Sequence, residues 1–292
     1  MNSLLKNLRL QVRISDTLQR LLIINIGLFL LFRIVNATSR LFLFPIFEFH
    51  DVADVLAIPA SLSLFFSKPW TIITYMFFHW EISHILFNML WLFWMGRIFQ
   101  EYLGNKKLLN TYLLGGLAGA VFFIAAYNIF PLFSSSVPEA YALGASASVL
   151  AITVAAATLV PDYKINLLFF GAVSLKWIAL FSILLDLVNV SGSNAGGHIA
   201  HLGGALYGFI YIKRLQKGQD LTSWLTNFFD RFSRRGRMKV AHKKKKMDEE
   251  FNLDKKAKQE RMDEILDKIS KSGYGSLTQE EKYFLFKVSK EE

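Results

Sequence analysis

Seven polar side chains sit inside stretches that are otherwise apolar: His79, His84 and Asn88, then Ser146 and Ser148, then His198 and His201. A hydroxyl in such a setting has no bulk water to bond. It becomes a nucleophile only beside a base, and an imidazole can take its proton and later return it to the leaving group. Ser146 and His201 are the pair suited to that exchange. An acyl-transfer centre also needs donors for its tetrahedral oxyanion, one of which stabilises by about 2.7–4 kcal/mol. His84 and Asn88, four residues apart and within about 40° on a helix, project from one face and suit this task. The backbone N–H of Ser146 adds a third donor. His79, about 140° from His84, suits orientation of a loop or neighbouring helix. Taken singly, each residue has a simpler reading: a lone serine bonds to its own helix, and a lone histidine cements two helices.

The elements that must position these residues are membrane spans. The chain has 292 residues, 53% hydrophobic and 15% aromatic with 27 Phe, a composition that fits a soluble domain poorly. Apolar runs near the ~20 residues needed to cross a bilayer fall at 18–36, 71–96, 107–127, 141–160, 175–191 and 195–213. The expected fold is an all-α bundle of six transmembrane helices. Between the first two runs, residues 36–69 alternate aromatic patches with Pro45, Asp51, Asp54 and Pro59, which suits the membrane interface. A fifth span beginning near Ile165 would carry Lys176 to the bilayer centre at a cost of ~2.5–3.5 kcal/mol. Starting it at Lys176-Trp177 avoids that cost and leaves 162–175 as an interfacial loop.

Charge then sets the orientation. Residues 213–292 hold 21 of the 33 Lys+Arg and 14 of the 23 Asp+Glu, so the net charge of +10 belongs largely to a tail. It reads as orientation rather than nucleic-acid binding. Arg97, Lys106, Lys107, Lys164 and Lys176 occupy the second and fourth connections, whereas 128–140 and 191–195 carry no Lys or Arg. The positive-inside rule therefore puts both termini in the cytoplasm. Lys6, Arg9, Arg13 and Arg20 precede the apolar stretch Leu21–Val35, and no small-residue cleavage site follows it, so that run is expected to be retained.

With this orientation, spans two, four and six enter from the outer face. Ser146 and His201 each lie about six residues in, roughly 8–10 Å deep at 1.5 Å per residue. Gly204 and Gly208 fall about 60° and 20° around the helix from His201. Ala200-xxx-Gly204-xxx-Gly208 is thus a small-residue ridge on which another helix can come close, and Gly144, Ala145 and Ala147 surround the serine. His198 is offset about 60° to the other side and lies nearer the surface, which makes it the weaker base. Asp186 is the one acid within a nearby span, and no carboxylate adjoins His201 in sequence, so a Ser-His dyad is expected in preference to a triad. The absence of cysteine excludes thiol nucleophiles, disulfides and Cys-ligated metals. His79-xxxx-His84 lacks the HExxH spacing, and neither metal nor cofactor is expected.

The ordered set His79-xxxx-His84-xxx-Asn88, Gly144-Ala-Ser146-Ala147 and Ala200-His201-Leu-Gly-Gly204 resembles the rhomboid family of intramembrane serine proteases. Glu101-Tyr-Leu-Gly104 and Trp70-Thr-Ile-Ile-Thr-Tyr are also similar to that family, and the resemblance covers about residues 18–213. It implies Ser146 as nucleophile and His201 as base, His84 and Asn88 at the oxyanion, and Gly204 at a close helix contact. It also implies that 36–69 is a partly embedded loop and that the substrates are single transmembrane helices cut near their outer end. Two positions depart from the family pattern. Ala147 stands where glycine is common, and Leu150 where an aromatic residue often packs on the histidine.

The remaining expectations concern the ends and the setting. Residues 1–17 form a cytoplasmic N-terminus ahead of the 18–213 core. Residues 214–246 read as an amphipathic helix, with Leu221, Trp224, Leu225, Phe228, Phe229 and Phe232 in one stripe, followed by a polybasic linker over anionic lipid. Residues 247–292 read as a small helical hairpin, with Thr278-Gln-Glu-Glu281 as a capping box. The resemblance is to bacterial members, so a bacterial cytoplasmic membrane is expected. A non-catalytic relative that binds or escorts transmembrane helices is the alternative.

Overall fold

The computed structural model describes residues 16–43, 48–167, 171–233 and 261–288. The basic N-terminal residues to Arg13, Pro45, and the runs Arg234–Arg237 and Lys243–Lys246 lie outside them. The chain divides into two units, Met1–Arg231 and Phe232–Glu292.

The first unit is mostly helical. Helix α1 (Thr17–Leu41) starts at Asp16, whose carboxylate accepts from Gln19 N–H. Its other free N–H groups find distant side chains: Thr17 N–H donates to Asn105 Oδ1 (3.0 Å) and Leu18 N–H to Gln100 Oε1 (3.2 Å). The next segment holds α2 (Phe49–Leu56), β1 (Ile58–Pro59), α3 (Leu62–Ser67), α4 (Thr71–Thr74) and a 3₁₀ turn at Tyr75–Phe77. Long α5 (Ile82–Ile129) is two helices joined at Gly104, whose φ of 79° is open to glycine. A Cβ on Gly96 would lie 3.8 Å from Leu108 Cδ1, whereas a straight helix would hold these positions about 18 Å apart. The two halves of α5 therefore fold back on each other.

After a 3₁₀ turn at Pro131–Phe133 come β2 (Tyr141–Ala142), α6 (Ser146–Leu159), the hairpin β3 (Lys164–Leu167) with β4 (Gly171–Ser174), α7 (Leu175–Val188), α8 (Ala195–Gln216) and α9 (Ser223–Ser233). Large apolar side chains point outward from several helices, among them Leu31, Ile34, Phe87, Val121, Phe181, Leu184 and Phe209. Polar ones such as Asn25, Asn88, Asn110, Thr153 and Asp186 are turned inward. That inversion suits lipid as the surrounding solvent. By length and composition α1 and α5 are each sufficient to cross a bilayer, with mean hydropathy 2.0 and 1.8 over their best windows.

Three sequence expectations need correction. The second apolar run is not one continuous helix from 71: α4 and the 3₁₀ turn take 71–77, 78–81 are extended or irregular, and the long helix starts at Ile82. His79 therefore stands before the helix, and the 140° offset computed for a continuous helix does not apply. The fourth run becomes helical only at Ser146, because 141–142 pair as a strand and Gly144 takes φ 111°. Residues 162–175 contain an antiparallel hairpin with Lys164 opposite Ser174, and Lys176 Nζ meets Asp162 Oδ1 at 2.6 Å beside it. Helix α9 leaves Trp224 and Phe228 exposed, while Leu225 is buried and Thr226 Oγ1 accepts from Asn110 Nδ2 at 2.7 Å.

In the second unit, a helix at 261–272 is followed by α11 (Gln279–Val288), the former being α10. Glu281 accepts from Thr278 N–H (2.6 Å) while Thr278 Oγ1 accepts from Glu281 N–H (3.3 Å). This reciprocal pair is a capping box. Lys268 Nζ bonds both oxygens of the same carboxylate, at 2.8 and 3.0 Å.

Candidate active site

The serine is framed from three sides. On the first, β1 pairs antiparallel with β2, Ile58 opposite Ala142 and Pro59 opposite Tyr141, and Ala60 N–H donates to Ala140 O at 2.9 Å. The 36–69 connection is thereby stitched to the segment leading into Ser146. Phe49 of α2 lies against Tyr141 and Trp80, ring centroids 5.8 and 5.1 Å apart. Thr74 Oγ1 and Trp70 Nε1 donate to carbonyls of Leu56 and Val55 and fix the same connection from below.

On the second side, the loop 143–145 is held by backbone and imidazole. Gly144 N–H donates to Tyr75 O at 2.8 Å, and Ala145 N–H donates to His79 Nε2 at 3.2 Å. His79 is 1% exposed and stands edge-on to His84, centroids 5.1 Å apart. A Cβ on Gly144 would lie 2.7 Å from His84 Cε1 and 2.8 Å from Nε2. Glycine is thus required at 144 both by its positive φ and by the imidazole stacked on it. His84 is in this way brought within two residues of Ser146. Asn88 donates its side-chain amide to His84 O at 2.9 Å, leaving its second N–H. Because α6 begins at Ser146, the N–H groups of its first turn have no partner within the helix and are available to an anion.

On the third side, small residues bring helices together. A Cβ on Gly204 would overlap the carbonyl of Ala147, and one on Gly208 would overlap that of Ala151, a turn further along α6. The ridge expected beside His201 therefore rests directly on the turn that carries Ser146. In α5, Gly119 takes the Ala147 methyl and the Ala200 carbonyl, 2.5 and 2.8 Å from where its own Cβ would stand, and Gly116 takes Ser148 Oγ. Ala147, one of the two departures noted above, lies within the helix rather than in a loop, and its methyl fills the space that Gly119 leaves. Leu150, the other, is buried. Ser148 faces α5 at Gly116.

His201 has a partner that sequence reasoning discounted. Its Nδ1 lies 2.9 Å from Asp186 Oδ1, and His198 Nδ1 lies 2.8 Å from the same oxygen. An ionised carboxylate only accepts, so both rings carry their proton on Nδ1. That tautomer leaves the Nε2 lone pair of His201 free. Asp186 occupies the last turn of α7 and the histidines the first turns of α8, with only 189–194 between the helices. A carboxylate at a helix C-terminus is disfavoured by the dipole, and two imidazole N–H groups offset that. Asp186, noted above as the one acid within a nearby span, is distant from His201 in sequence by fifteen residues but adjacent across the α7–α8 turn, so the dyad preferred from sequence has a carboxylate beside it. The signal was present, since an ionisable residue within a span points by default to a function. Asp186 is 8% exposed at its side chain, His198 and His201 24% and 23%. The ligating atoms of the three lie within 4.8 Å of one another. No hydrogen bond joins Ser146 to His201 among the described residues.

These features define a helical integral membrane protein with a serine, histidines and a carboxylate gathered between its helices. Residues 67–217, just over half of the chain, match the Rhomboid domain, and 245–291 match a family of unknown function (DUF6576). The chain belongs to the rhomboid family. It is similar to RHOMBOID-like protein 12, mitochondrial, of Arabidopsis thaliana, with 31% identity over 215 residues, covering 70% of this chain and 60% of that protein. It is also similar to presenilin-associated rhomboid-like protein A, mitochondrial, of Danio rerio (29% over 144 residues; 47% and 35%). Rhomboid-like protein 16, chloroplastic, of Arabidopsis thaliana shares 28% identity over 163 residues (51% and 50%). The chain thus spans between about a third and three fifths of the length of these curated relatives.

Proposed function

We propose that the protein is an intramembrane serine endopeptidase that cleaves transmembrane segments of other membrane proteins. In this reading Ser146 Oγ attacks the scissile carbonyl while His201 Nε2 takes its proton. The tetrahedral oxyanion is held by His84, Asn88 and the first-turn N–H of α6. His201 then protonates the leaving amine, and water, activated by the same imidazole, hydrolyses the acyl-enzyme. Asp186 holds His201 in the tautomer that this sequence requires, so that the site works as a triad rather than as the dyad expected at first. The observation that carries the proposal is the 2.9 Å bond from His201 Nδ1 to Asp186, on a helix whose Gly204 rests against the residue after Ser146.

The six-crossing topology with cytoplasmic termini and a site open to the outer face belongs to the same proposal. It is supported by the loop charges and by the six apolar helical stretches: α1, the two halves of α5, and α6 to α8. A bacterial cytoplasmic membrane is the location we infer, and fractionation of the native cells tests it. Co-expression with a reporter transmembrane substrate tests the activity. The wild-type chain should cleave it, whereas Ser146→Ala and His201→Ala should not; cleavage that survives both changes refutes the mechanism.

A further inference from the structure

We propose that Asp186, His198 and His201 form a binding site for a divalent transition-metal ion such as Zn²⁺, and that its occupation switches the active site off. The inhibitory half of this proposal rests on the protease reading; the binding half does not.

Three donors converge from two elements that meet at a short turn. His198 and His201 lie three residues apart on one face of α8, and both Nδ1 atoms address a single carboxylate oxygen at the end of α7, at 2.8 and 2.9 Å. With all three ligating atoms within 4.8 Å of one another, small rotations of the rings open the space for an ion at the usual Zn–N and Zn–O distances of about 2.0–2.2 Å. Two imidazoles and one carboxylate, with water in the fourth position, suit zinc, cobalt(II) and copper(II). Magnesium and calcium favour oxygen ligands and are not expected to compete. The imidazoles are about a quarter exposed while the carboxylate beneath them is nearly covered.

The proton balance dictates the consequence. In the free site each imidazole carries its proton on Nδ1, and His201 Nε2 holds a lone pair. A metal on Nδ1 takes the lone pair of the other tautomer, so the proton moves to Nε2 and none is lost. His201 then has no acceptor for the Ser146 proton, and its orienting carboxylate is engaged by the ion. Metal binding and proton transfer exclude each other at the same ring. Since the substrate's place is not occupied, zinc should lower kcat and leave KM nearly unchanged.

The test separates binding from catalysis. Purified Ser146→Ala chain, which cannot cleave, is titrated with Co²⁺. We expect visible d–d absorption of a four-coordinate ion saturating at one per chain, displaced by Zn²⁺ and indifferent to Mg²⁺. His198→Gln in the same background should weaken Co²⁺ at least ~10-fold. Zinc, and not magnesium, should raise the melting temperature of the Ser146→Ala chain, a readout that does not depend on the second variant folding. In the wild type, Zn²⁺ should stop reporter cleavage reversibly on chelation; in His198→Gln, scaled to its own metal-free rate, at least ~10-fold more zinc should be needed. Absence of Co²⁺ absorption and of zinc stabilisation, or binding unaltered by a folded His198→Gln, overturns the site. Stoichiometric, His198-dependent binding in a chain that never cleaves supports the site while removing the protease reading. Ser146-dependent cleavage without binding does the reverse.

Discussion

Substituting Gly204 by alanine puts a methyl group where the backbone carbonyl of Ala147 already stands. Neither partner is the end of a flexible side chain, so the overlap is relieved only by moving helices. Restoring an ordinary contact requires roughly 1 Å of separation between α6 and α8. Overpacking of this kind costs about 1–3 kcal/mol. The effect on chemistry is larger, because the same displacement carries His201 away from Ser146, and a 1 Å misplacement of reacting groups costs about 10²-fold in rate. Gly208→Ala is the matched control: its methyl meets the Ala151 carbonyl in the same way, one turn further from the serine. We expect both variants to melt at lower temperature by similar amounts, and Gly204→Ala to lose about 10²-fold in kcat of reporter cleavage in detergent while Gly208→Ala loses much less. Full activity in Gly204→Ala, or equal losses in both, would show that the glycine ridge does not set the serine–histidine geometry.

Other changes probe other parts of the frame. Asp186→Asn should lower kcat by about 10²–10⁴-fold with little change in KM, because the amide offers a donor where His201 needs an acceptor; a folded Asp186→Asn enzyme with normal kcat removes the carboxylate from the mechanism. His79→Ala leaves the Ala145 N–H without its imidazole partner in a buried loop, so the melting temperature should fall in line with a loss of about 1–3 kcal/mol. In the 232–292 unit, Lys268 holds the Glu281 carboxyl down at about 2 from its ordinary 4.5. A lowered folded pKa stabilises fully above the unfolded value and is lost as pH falls through the folded one. Far-UV circular dichroism of that unit should therefore show helicity falling as pH drops from about 4.5 toward 2, with a weaker dependence in Lys268→Met.

Much of this site can be read from residue order alone, and the exceptions have physical reasons. Ser146, His201 and Gly204 stand out because a reactive pair in a membrane needs a small-residue seam, and helical angles are enough to align one. Strand β2 did not stand out: Tyr141–Ala145 is as apolar as the helix that follows, and its pairing with Ile58–Pro59 is a long-range choice without local signal. Asp186 was visible as an isolated acid, but its bond to two histidines depends on how tightly 189–194 turn. The face formed by Gly115, Gly116 and Gly119 was hidden in a run that hydropathy alone describes as uniform, and only the approach of Ala147 and Ala151 gives it meaning.

The order of these pieces along the chain also sets the order in which they can be put together during synthesis. The strand pairing that seats the serine loop must wait for residue 142 to find residue 58, a contact of high sequence separation and hence slow to close. In the proposed mechanism Ser146 is then made before its base, because Asp186 and His201 belong to α7 and α8, which follow it in the chain. A partly inserted chain therefore carries a serine that cannot be activated. In the proposed mechanism reactivity would arrive with the docking of α8, so that the final packing step, and not the appearance of the nucleophile, would mark the moment at which the site is complete.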